Sequence, residues 1–161
     1  MFEDINKEFI RTHEFKADVA PDEYAAQSFR LNLSQKLPPS PDELQVELRK
    51  SFVEIFVTTF QKNYTQMDSR CNISEAAMRK YLNGSRRIDF FNVAKFCIGA
   101  KLSVEKLCEL AKLCGHIVSP DIYRLDAIVV NALQCGDSIE IFYDSTIEWG
   151  LNYLWKRDKR T

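Results

Sequence analysis

A chain of 161 residues, 45% apolar with 22 Lys and Arg against 23 Asp and Glu, has the size of one globular domain and the material for one packed core. No run approaches the roughly 18 unbroken apolar residues of a membrane span, and the leading MFEDINKEF is acidic where a secretory leader is basic, so a soluble, cytoplasmic protein is expected. The net charge of −1 divides unevenly: residues 1–45 hold 5 basic and 9 acidic side chains (−4), residues 46–112 hold 12 and 7 (+5), and residues 113–161 hold 5 and 7 (−2).

Glycine is scarce and helix-start signals recur, which predicts an all-α architecture. Residues 1–39 read as an acidic extension. Phe2, Ile5 and Phe9 mark one short helix there and Pro21 to Leu31 a second, followed by a stiff Pro38-Pro39-Ser40-Pro41 joint. At Ser40-Pro41-Asp42-Glu43 a serine cap, a proline at the first helical position and Glu43 in a capping box open a long helix. Leu44, Leu48, Phe52, Ile55, Phe56, Thr59 and Phe60 give that helix one broad apolar face running towards Lys62.

Four shorter helices are predicted next: Tyr64 to Cys71, Ser74 to Asn83, Asp89 to about Ala100, and Ser103 to Cys114. Ser74, Asp89 and Ser103 can cap their starts, and Asn83-Gly84-Ser85 closes the second of the four. Residues 40–115 form the expected core unit. In residues 116–161, Gly115 precedes a helix opened by Ser119-Pro120-Asp121 and stopped by Gly136, with Ile122, Leu125, Val129, Ala132 and Leu133 on one face. Ile139 to Tyr143 fits either a strand or a helical turn. Ile147, Leu151, Leu154 and Trp155 predict a last helix, ending in Lys156-Arg157-Asp158-Lys159-Arg160.

The five cysteines, Cys71, Cys97, Cys108, Cys114 and Cys135, include no CxxC pair and mostly occupy apolar positions, the pattern of buried reduced thiols. Neither His13 nor His116 stands in a recognisable nucleophile arrangement, and Cys108, Cys114 and His116 lack the paired knuckle of a zinc site. No phosphate-cradling glycine loop occurs. Catalysis, a cofactor and a metal are therefore not expected.

The informative stretch is Met67 to Leu107. Cys71-Asn72-Ile73-Ser74 supplies an apolar residue, an asparagine, an aliphatic residue and a serine at a turn between two short helices. Met78 and Tyr81 follow at core spacing, Tyr81-Leu82-Asn83-Gly84 closes the helix, and Ile98 to Leu107 forms a later helix junction. These motifs resemble the helix-turn-helix family of phage repressors, Cro proteins and their bacterial relatives, over roughly residues 46–112.

The resemblance implies a five-helix repressor-like core that binds duplex DNA in its major groove through the helix 74–83 and regulates transcription. It implies that Ser74, Glu75 and Ala76 lead that helix into the groove, with Arg79 and Lys80 nearby, and that Asn83, Ser85, Arg86 and Arg87 hold backbone phosphates. The basic middle segment suits such a polyanion. The aromatic C-terminal segment, residues 116–161, either closes the core or mediates a homodimer that reads two half-sites. A second reading remains open. The acidic flanks, Asp68 and Glu75 suit a protein-interaction module that keeps the scaffold without contacting DNA.

Overall fold

Polar residues immediately before the helices decide where most of them begin. A computed structural model describes residues 2–21 and 41–155, and it is all-helical over them apart from a single bridge pairing Ala17 with Tyr123. Asn6 accepts the Phe9 N–H and opens α1 (Lys7–Thr12), Asn63 accepts that of Gln66 and opens α3 (Tyr64–Cys71), and Ser74 accepts that of Ala77 and opens α4 (Glu75–Asn83). Asp89, Ser103 and Ser138 do the same for α5 (Phe90–Gly99), α6 (Val104–Leu113) and α8 (Ile139–Glu148). Each cap satisfies an N–H that the helix itself cannot, worth about 1 kcal/mol. The long α2 spans Pro41–Thr58, α7 spans Arg124–Cys135, and a 3-10 turn, Asn152–Trp155, closes the described chain.

Several boundaries differ from the sequence expectation. α1 begins only at Lys7, so Phe2 and Ile5 precede it, and α2 stops at Thr58, before Phe60, with Gln61 and Lys62 at positive φ. The helix expected from Ser119 begins only at Arg124, because its leading residues are committed elsewhere: the Ile122 carbonyl accepts the N–H groups of Lys16 and Ala17, and Asp126 takes the Ser119 N–H. Ile139 to Tyr143, which fitted either a strand or a helical turn, is helical, started by Ser138. The final helix expected through Trp155 is split, since Gly150 adopts φ +75° and breaks the run between α8 and the 3-10 turn. The second N-terminal helix, the proline joint and the Ser40 cap lie in residues 22–40, and the terminal charges in 156–161, all outside the described residues.

Two helices sit inside: α5, apolar nearly all round, and α7, whose buried stretch also encloses Asp126 and Asn131. Every residue of α5 from Val93 to Gly99 is buried, as is every residue of α7 from Leu125 to Ala132. Phe52 of α2 stacks on Phe96 of α5 with centroids 4.0 Å apart, and Phe60 tilts against the same ring. Each such side chain, fully enclosed, contributes about 1.5–3 kcal/mol of burial. One contiguous buried cluster runs from Ile5 to Leu151, so the N-terminal and C-terminal segments share a core with the middle of the chain. Asn131 of α7 donates to the Ile5 carbonyl at 2.7 Å, and the Ile5 N–H returns a bond to Gln134 at 2.8 Å, tying the extension to α7. No helix among the described residues is long and apolar enough to cross a membrane.

Candidate nucleic-acid interface

The link between α3 and α4 is three residues long, and each has a distinct task. Asn72 adopts a left-handed backbone, φ 57° and ψ 43°, a conformation asparagine enters more readily than most residues, and its N–H bonds the Asp68 carbonyl at 2.7 Å. Ile73 is buried. Ser74 spends its hydroxyl on capping α4, accepting the Ala77 N–H at 3.1 Å. From α5 the buried Lys95 donates its ammonium to the Asn72 carbonyl at 2.9 Å, clamping the turn from behind.

This turn fixes which way α4 faces. Met78 and Tyr81 are buried with Ile73, while Glu75, Ala76, Arg79, Lys80 and Asn83 are exposed on the opposite side. Glu75 and Arg79 lie one turn apart and form a two-pronged pair, with Glu75 Oε2 accepting from Arg79 at 2.8 and 2.7 Å. Arg79 also lies over the Tyr64 ring, 4.4 Å from its centroid. The hydrogen bond to Glu75 raises the Arg79 pKa further above its ordinary value. The acid at the leading end of the helix is thus neutralised by its own neighbour.

The loop after α4 is held from three directions. Gly84 takes φ +82°, a backbone conformation that L side chains rarely adopt, and the Arg49 guanidinium of α2 packs 2.8 Å from where a Cβ would stand. The N–H groups of Ser85 and Arg86 both return to the Lys80 carbonyl at 3.0 and 3.2 Å, and the Ser85 N–H is shared with Asn83 Oδ1 at 2.8 Å. Gln45 of α2 then grips Ile88 through a reciprocal pair of 2.9 Å bonds, one to its carbonyl and one from its N–H. Arg86 and Arg87 are half-buried between these anchors, and Arg86 hydrogen-bonds the Tyr81 phenol. Burial pushes the Tyr81 pKa up to about 12; Asp89 adds to the rise and Arg86 opposes it.

The nine residues singled out from the sequence divide into two groups. Glu75, Ala76, Arg79, Lys80, Asn83 and Ser85 form an exposed outer face. Ser74, Arg86 and Arg87 line a cleft of about 460 Å³, shared with Lys95 and with Tyr153 and Trp155 of the closing 3-10 turn. Sequence reasoning did not single out Arg49 or Lys95, and it placed Trp155 in the segment that closes the core or mediates a dimer, not at this site. A lone lysine inside the apolar run Phe90–Gly99 was a visible signal; the approach of Arg49 to Gly84 and of Trp155 to Lys95 had none. A second depression on the far side of Asn72 is acidic, lined by Asp68, Glu140 and Asp144.

Compared with known proteins, the chain matches no family model, no curated protein and no solved structure.

Proposed function

We propose that this protein binds duplex DNA sequence-specifically and regulates transcription, with α4 entering the major groove and the following loop holding phosphates. The observation that carries the reading is the α3–α4 unit: a three-residue turn with left-handed Asn72, a capping Ser74, and one face of α4 buried while five residues of the other are exposed. That is the arrangement a repressor-type helix-turn-helix uses to project side chains to base edges. Ala76 suits a thymine methyl, and Lys80 can donate to guanine. Glu75 accepts from a cytosine amino group only where Arg79 yields part of its hold, which couples the two positions in base choice. Arg86 and Arg87, with Arg49 behind Gly84, give the loop a cationic character suited to phosphate.

Homodimerisation belongs to the same proposal, since two half-sites require two recognition helices. Ile141, Tyr143 and Ile147 of α8 are large exposed apolar side chains that can supply the contact. The acidic depression of Asp68, Glu140 and Asp144 supports the second reading, a protein-interaction module, because such a surface reaching the α3–α4 turn at Asn72 repels a polyanion.

Selection from a randomised duplex pool at two salt concentrations tests the choice, with an Arg86→Ala/Arg87→Ala variant alongside. Enrichment of one shared sequence, weakened in the variant, supports the DNA reading. A folded protein that enriches nothing overturns it in favour of the interaction module.

A further inference from the structure

The cleft beside α4 has two halves of different chemistry. One is cationic: Arg86, Arg87 and Lys95 line it against Asp89 as the one acid, a net of +2. The other is aromatic. Trp155 stands edge-on to Phe91 with centroids 5.1 Å apart, pinned by its indole N–H donating to Thr146 at 2.7 Å, and Tyr81 and Tyr153 also line the cleft. Lys95 joins the halves. It is only 6% exposed, and its ammonium lies 5.3 Å from the Phe91 centroid and 5.5 Å from that of Trp155 while bonding the Asn72 carbonyl.

Duplex DNA docked on the outer face of α4 accounts for the arginines and makes no use of the aromatic half, whose Trp155 also packs on Phe142 and Tyr143, because bases stacked inside a duplex offer no ring faces. A phosphate monoester carries between one and two negative charges at neutral pH with three acceptor oxygens, matching a +2 lining and two guanidinium forks. A base attached to it finds aromatic side chains that stack without demanding one identity. A volume of about 460 Å³ falls in the range of small-ligand sites.

We propose that this cleft binds a phosphorylated nucleoside, and that its occupant competes with duplex DNA for Arg86 and Arg87. The competition rests on the DNA-binding reading above; the binding does not. The chain has two tryptophans, so a Trp149→Phe background leaves Trp155 as the sole reporter in the full-length protein. Titration with 5′-AMP is expected to quench its fluorescence saturably, at concentrations about ten-fold below those at which adenosine does so. Lys95→Met should weaken AMP about ten-fold with the helical circular dichroism retained. Because loss of Lys95 can unsettle the fold, Arg86→Gln/Arg87→Gln, confined to the loop, serves as the second variant with the same expected loss. Saturating AMP should also release a fluorescein-labelled random-sequence duplex.

No saturable quenching in the millimolar range, or quenching matched by adenosine, overturns the site, and duplex binding that persists alongside locates the failure in this inference alone. Saturable quenching with duplex affinity unchanged overturns the competition.

Discussion

At the close crossing of α3 and α5, Gly99 carries no side chain. A Cβ at residue 99 would stand 2.3 Å from Cys71 Sγ and 2.6 Å from the Arg70 carbonyl oxygen, both roughly 1 Å inside ordinary contact. Neither neighbour can yield. The sulfur belongs to a fully buried residue and the oxygen to the backbone of α3. Relief requires sliding α3 off α5, which loosens the Cys71 thiol's contact with the Phe96 carbonyl and the Lys95 bond to Asn72. Overpacking of this kind costs about 1–3 kcal/mol, and two rigid collisions place Gly99→Ala at the upper end. Replacing a helical glycine returns up to about 1 kcal/mol of propensity, leaving a net loss of about 2 kcal/mol. For a chain of 161 residues that is a fall in Tm of about 4–8 °C. Urea unfolding followed by circular dichroism measures it. The double variant Cys71→Ala/Gly99→Ala removes the sulfur collision and keeps the carbonyl one, so its loss should fall short of the sum of the single losses by about 1 kcal/mol. A Gly99→Ala midpoint equal to that of the parent, or strict additivity in the double variant, would refute the crossing geometry and with it the placement of the turn that presents α4.

Other consequences can be measured independently. If Arg86 and Arg87 each neutralise one phosphate, the double alanine variant should lower the slope of log affinity against log salt by about 1.8, and an unchanged slope removes both from the interface. Asp126, 1% exposed, accepts from His116 Nε2 at 2.7 Å and from the Ser119 N–H at 2.8 Å. Asp126→Ala strands both donors and should cost about 3 kcal/mol by denaturant unfolding, while a cost under about 1 kcal/mol would mean that water replaces the carboxylate there. Burial raises the pKa of Cys71 and of Tyr81 to about 12 in the folded state, so folding favours their protonated forms. The stability they supply is complete below their unfolded values, near 9 and 10, and is lost as pH climbs towards 12. Tm should therefore fall between about pH 9 and pH 12. Cys135 is the exposed cysteine, and Cys71, Cys97 and Cys114 are buried, so a thiol reagent at neutral pH should titrate Cys135 first and reach those three only on unfolding.

What the sequence alone determined is the set of features that depend on neighbours a few residues away. The bounds of α3, the caps at Ser74, Asp89 and Ser103 and the stops at Asn83-Gly84 and Gly136 follow from side chains that satisfy backbone groups within one turn, and from apolar spacing that survives in the linear order. The outer face of α4 follows as well, because once Ile73, Met78 and Tyr81 are assigned inward, helical geometry turns Glu75, Ala76, Arg79 and Lys80 outward. Tertiary structure decided the rest. The late start of α7 depends on Lys16 and Ala17, more than 100 residues away, competing for its first turn. The position of the Arg86–Arg87 loop depends on Arg49 and Gln45 of α2, and the cleft exists because Trp155 reaches Lys95 from the other end of the described chain. Such contacts join residues with no shared periodicity, so their energy appears only when the chain closes on itself, and no local pattern of residue types records it.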